Sequence, residues 1–119
     1  MIIDCHCHAG EGDGLTGPWD TRASLKDFLR WSESAGITHT VLFPAFHTDY
    51  LEANRAVARL VRRNPERFWG FAFVHPERDR GRVQRLVREA VEEHGFKGID
   101  PGGLQDFLQH GISVSVHTT

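Results

Sequence analysis

The chain is predicted to be an α/β protein built on a parallel sheet, and three observations predict it. Strand-like runs over 1–8, 37–43 and 68–74 alternate with segments whose apolar residues recur at helical spacing. The run Phe68-Trp69-Gly70-Phe71-Ala72-Phe73-Val74 is apolar throughout, as a strand buried on both faces would be. No linker, repeat or low-complexity stretch divides the 119 residues, so one domain is expected. Right-handed crossovers then leave two architectures, an open doubly wound sheet or part of a closed barrel. In both, ligands gather at the carboxyl ends of the strands.

The first strand is Met1-Ile2-Ile3 running into Asp4-Cys5-His6-Cys7-His8, and Gly10, Gly12, Gly14, Gly17 and Pro18 turn it into a long loop. Ser24 with Asp27 opens a helix whose stripe is Leu25, Phe28, Leu29, Ser32 and Ala35, closed by Gly36. Ile37 to Phe43 is a β-branched and apolar strand stopped by Pro44. A second helix runs from Thr48 or Asp49 to Arg63, with Ala53, Val57, Leu60 and Val61 on one face, and Asn64-Pro65 ends it. The strand over 68–74 stops at Pro76. A third helix from Gly81 to Glu93 carries Val83, Leu86, Val87, Ala90 and Val91, and His94-Gly95 terminates it. Phe96-Lys97-Gly98-Ile99 is a short fourth strand, interrupted by Asp100-Pro101-Gly102-Gly103. Leu104, Phe107 and Leu108 then sketch a helix, and Ile112, Val114 and Val116 alternate before His117.

Composition narrows the function classes. A chain 39% hydrophobic and 25% charged is an ordinary soluble globular one, and a net charge of −2 gives no reason to expect nucleic acid or an anionic membrane as partner. Two cysteines one residue apart form no disulfide framework, which suits a reducing cytoplasm. Neither a secretory leader nor an eighteen-residue apolar run is found, so a cytoplasmic location is expected.

The chemistry concentrates at the end of the first strand. Period-two alternation would send Asp4, His6 and His8 to one face and Ile3, Cys5 and Cys7 to the other. Two imidazoles would then converge, making half of a first shell for zinc or a similar divalent ion and leaving positions for water. Asp4, two residues deeper, is read as a buttress of the histidines, and the cysteines as small packing residues beneath a helix. His47 and His75 fall just beyond the second and third strands; His47 is a candidate substrate contact and His75 a strand-end residue. His39 and His94 are assigned no role. The arginines at 78, 80, 82, 85 and 88 are read as a solvated charged face. Leu15, Trp19 and Phe46 are candidate walls of the mouth.

Four strings taken in order resemble one superfamily. They are Ile2-Ile3-Asp4-Cys5-His6-Cys7-His8, Ala35-Gly36-Ile37-Thr38-His39-Thr40-Val41-Leu42, Asn64-Pro65-Glu66-Arg67-Phe68-Trp69-Gly70-Phe71-Ala72 and Gly95-Phe96-Lys97-Gly98-Ile99. Together they look like the amidohydrolase superfamily, in particular the amidohydrolase-related branch that includes aminocarboxymuconate semialdehyde decarboxylase-like enzymes. The resemblance covers about residues 1 to 99.

It implies a partial (β/α)8 barrel of four to five βα units, since a complete one takes about 250 residues. Residues 1–119 would be that partial domain, with 100–119 a divergent or out-of-register tail. His6 and His8 inherit the role of metal ligands. His117, if it ends the family's fifth strand, would be a third ligand. The family's late aspartate has no counterpart, so no catalytic base is assigned. Lys97 lies inside its strand, which argues for one ion rather than a bridged pair. The implied cofactor is a single divalent metal, Zn2+ first and Fe2+ or Mn2+ next. The implied activity is hydrolysis of a small molecule by metal-activated water. Two readings stand beside it: metal-dependent non-oxidative decarboxylation, and an inactive half-barrel fragment that binds metal or a partner. A homodimer covering the open sheet edges is the expected assembly.

Overall fold

In a computed structural model the described residues are 1–12, 25–45, 47–75 and 77–101. Strands β1 (Ile3–Ala9), β2 (His39–Pro44), β3 (Phe68–Val74) and β4 (Gly98–Pro101) alternate with helices α1 (Leu25–Ser34), α2 (Tyr50–Arg63) and α3 (Val83–Arg88). The strands form one parallel sheet in the order β1-β2-β3-β4. This is the α/β fold of part of a (β/α)8 barrel. Among the described residues no helix is long and apolar enough to cross a membrane. Ser24, Pro76, the mouth residues Leu15, Trp19 and Phe46, and the tail with His117 lie outside the described residues.

The core lies between the sheet and the helices. Leu42, Phe68 and Ala72 from the strands meet Val57 and Ala58 of α2, and Ala90 and Phe96 complete the cluster. Asp49 caps α2, its carboxylate accepting the Leu51 N–H at 3.0 Å, and Asn64 closes the other end. The strand β3 alternates: Phe68, Gly70, Ala72 and Val74 are buried, while Trp69, Phe71 and Phe73 are only half-buried. Burial on both faces was the expectation. The difference arises because the described helices cover one face of the strand only.

Three further expectations are corrected. The third helix stays α-helical only to Arg88; Glu89–Glu93 widen into a π-helix, sealed by a His94 N–H to Glu89 carbonyl bond of 3.0 Å. The wider turn carries Val91 out of the apolar stripe, and it is 55% exposed. The fourth strand starts two residues later than its apolar run. Phe96 turns onto the helix side and fills the space over Gly70, where any Cβ would come within 2.3 Å of its ring. Asp100 and Pro101 therefore belong to β4, paired with Phe73 and Val74, and do not interrupt it; Lys97 precedes the strand and is exposed.

Candidate metal centre

β1 pairs with β2 through a register shift between Asp4 and Cys7, where one extra residue on β1 is accommodated. Beyond the shift, alternation holds: Cys7 packs against the core opposite Leu42, and His8 lies opposite Phe43 on the concave side. The His6 ring stacks on Phe43 at 4.3 Å between centroids, and Phe43 meets Phe71 edge-on at 5.2 Å. These aromatics form the floor beneath the histidines.

The two rings converge. Their Nε2 atoms lie 3.1 Å apart. The His8 Nδ1 is 2.8 Å from the Pro44 carbonyl, which can only accept, so Nδ1 carries the proton and the neutral ring keeps its lone pair on Nε2. A metal-ligating histidine is oriented in this way, its other N–H spent on a carbonyl. Two nitrogens about 2.0–2.1 Å from one zinc ion sit roughly 3 Å apart, so the pair fits as two donors of one shell. Among the described residues no group of three His, Cys, Asp or Glu side chains is placed to hold an ion.

The bulge overturns the shared face expected for Asp4. Its partner in register is Thr40, whose side chain is buried toward the helices, and Asp4 reaches His6 only by accepting its backbone N–H at 3.2 Å. The Cys7 thiol is pushed up by burial and further by the Asp4 charge. Cys5, expected beneath a helix, is exposed for the same reason.

His47 follows β2, as expected, and its Nδ1 accepts the Asp49 N–H at 2.8 Å. The ring lines a cleft of about 400 Å³ with Gly10, Glu11, Glu52 and Arg59. His75 receives a bond from Arg78 N–H and donates its own N–H to Asp79 at 2.7 Å.

Asp79, Tyr50 and Asn54 were not singled out from the sequence, and Arg82 was named only as one of a charged run. Asp79 is fully buried, and Arg82 reaches both it and Asp49, tying the loop after β3 to the cap of α2. Burial pushes the Asp49 carboxyl up, but the bonds from Arg82 and Leu51 outweigh it and hold the carboxyl below its usual range. Arg82 was read as part of a charged face because a run of arginines looks alike whether solvated or bridging.

No family model and no curated protein matches the chain. Solved structures do. Over 83% of this chain it is similar to a 4-oxalomesaconate hydratase from Rhodopseudomonas palustris, with 19% identity, a TM-score of 0.60 and 40% of that chain covered. A probable 2-pyrone-4,6-dicarboxylic acid hydrolase from Acinetobacter baumannii, solved with citric acid bound, matches over 82% at 22% identity and TM-score 0.59, with 36% of it covered. A 2,6-dihydroxybenzoate decarboxylase from Rhizobium matches over 82% at 17% identity and TM-score 0.57, with 37% covered. At this identity the likeness is one of fold. The chain spans about two fifths of the length of the structures it matches.

Proposed function

We propose that the chain carries the metal-holding end of a hydrolytic barrel of the amidohydrolase kind, in which His6 and His8 hold one divalent cation. The carrying observation is the convergence of the two Nε2 atoms at 3.1 Å with His8 set by the Pro44 carbonyl. Nitrogen donors suit zinc, with iron(II) and manganese(II) as the other occupants. When bound, such an ion lowers the pKa of a coordinated water and polarises a carbonyl group.

The chain's own contribution is positioning. The Pro44 carbonyl fixes the tautomer and rotation of His8, and the Phe43 face restricts His6, so both rings lose little freedom on taking up the ion. Because Asp4 turns to the other side of the bulge, β1 supplies no carboxylate to accept a proton from water. His47, whose Nδ1 is an acceptor here and whose Nε2 therefore bears the proton, is the proposed donor to a substrate oxygen. The three similar structures act on small carboxylates, which makes a small carboxylate the proposed substrate class. Decarboxylation is the second reading, favoured by the likeness to the dihydroxybenzoate decarboxylase.

Elemental analysis tests the site. The parent is expected to purify with near-stoichiometric zinc, iron or manganese and the His6→Ala/His8→Ala variant with none. Equal metal in both removes the proposal. Metal without turnover of any small carboxylate would leave the inactive-fragment reading.

A further inference from the structure

Arg78 stands in the loop after β3, at the carboxyl end of the parallel sheet, where β1 ends just past His8 and the chain beyond β2 carries His47. Its guanidinium crosses to the neighbouring loop and donates from Nη1 to the His47 carbonyl at 3.3 Å. That contact uses one of five N–H groups, and the side chain is exposed.

The acids that share this corner are engaged elsewhere. Asp49 and Asp79 both accept from Nη2 of Arg82, at 3.1 and 3.2 Å, and Asp79 also accepts the His75 N–H. Asp100, in register with Phe73, acts electrostatically on the Tyr50 hydroxyl, as Arg78 and Asp79 do. Among the described residues no carboxylate forms an ion pair with Arg78. The main chain beneath it is pinned: its own N–H donates to His75 Nδ1 at 3.4 Å, and the next residue is the fully buried Asp79. A cation on a fixed stretch of backbone loses less freedom when an anion arrives, and paired guanidinium N–H groups match the two oxygens of a carboxylate.

We infer that Arg78 is a specificity-determining residue that takes a carboxylate of the substrate beside His47. This deepens the small-carboxylate reading proposed above and rests on it. A neutral substrate of the same shape would leave the guanidinium without its partner, so the discrimination is between charged and uncharged acyl groups.

Isothermal titration on metal-free and on zinc-supplemented protein tests this apart from the histidine site. The probes are fumarate and benzoate, with fumaramide and benzamide as uncharged counterparts. The parent is expected to bind at least one acid more tightly than its amide, with an affinity that falls as salt rises. Arg78→Met should weaken that acid roughly 10- to 100-fold, leave the amide unchanged and flatten the salt dependence, and Arg78→Lys should recover part of the loss. Arg80→Met, which removes an exposed charge from the same loop, should bind as the parent does. Equal weakening of acid and amide in Arg78→Met would show a latch between loops and overturn the assignment. So would no loss in that variant, an equal loss in Arg80→Met, or a loss confined to Arg59→Met, whose residue lines the His47 cleft; each leaves the carboxylate reading standing. A parent that binds neither acid with or without zinc would refute the substrate class and the role of Arg78 together.

Discussion

Cys5 and Cys7 flank the same histidine, yet their surroundings differ enough to separate their reactivity. Cys5 is exposed, while Cys7 packs against the core with its thiol pushed up by burial and by the Asp4 charge. The thiolate is the reactive form, so iodoacetamide at neutral pH should label Cys5 well before Cys7, read by peptide mass spectrometry over time. Equal labelling would mean that β1 does not hold its register shift. The same residues show what a sequence can transmit. The convergence of His6 and His8 was legible, since both lie on the concave side next to Phe43 after the shift is made. The position of Asp4 was not, because one extra residue in the strand changes the side of everything before it and leaves no composition signal.

Between elements, the decisive contacts are those that replace a missing strand pairing. β2 and β3 pair only as far as Leu42 and Gly70, and beyond that point the backbone of Phe73 is satisfied by α2. The buried Asn54 accepts the Phe73 N–H at 2.9 Å and donates to its carbonyl at 3.1 Å. Asn54→Leu keeps the volume but strands both groups, at about 1–3 kcal/mol each, so urea unfolding should show a loss of that order. A shift below 0.5 kcal/mol, the usual range of surface changes, would mean that water replaces the amide. Close approach fixes β4 in the same way. A Cβ on Gly98 would lie 2.5 Å from the Phe71 ring, so Gly98→Ala should destabilise by about 1–3 kcal/mol, and Phe71→Leu in the same chain should recover part of it. The ends of α2 were legible from Asp49 and Asn64-Pro65 because caps are local chemistry. The start of β4 and the π-turn were not, since both depend on Phe96 finding Gly70 across the fold.

For the whole molecule, strand and helix alternation was enough to indicate the parallel sheet, because each period reports its own burial. The half-burial of Trp69, Phe71 and Phe73 was not legible, as an apolar strand reads the same whether or not the described helices cover its second face. The charge network, also hidden from the sequence, predicts how the molecule answers pH. His94 is nearly buried, 3.5 Å from Glu89 and beside Phe96, with Arg55, Arg62 and Glu93 contributing charge; burial foremost pushes its imidazolium down. Below its ordinary value of about 6.5, the unfolded chain takes up a proton that the folded chain resists, so stability falls as pH falls through that point. Glu89 is held low by the Arg55 guanidinium, and Asp49 by Arg82 and Leu51 against its burial. Their contribution is present above the ordinary carboxylate range near 4 and is lost as pH drops through their folded values. The Tyr50 hydroxyl and Cys7 thiol, both pushed up chiefly by burial, have the opposite sign and cost stability only in alkali. Urea midpoints in a chelating buffer should therefore be level near neutrality, fall once below about pH 6.5 and again below about pH 4. His94→Phe, which keeps a ring against Phe96, should remove the first fall and keep the second. A first fall that persists unchanged in that variant would assign it to other histidines and leave the ring at 94 without a part in acid stability.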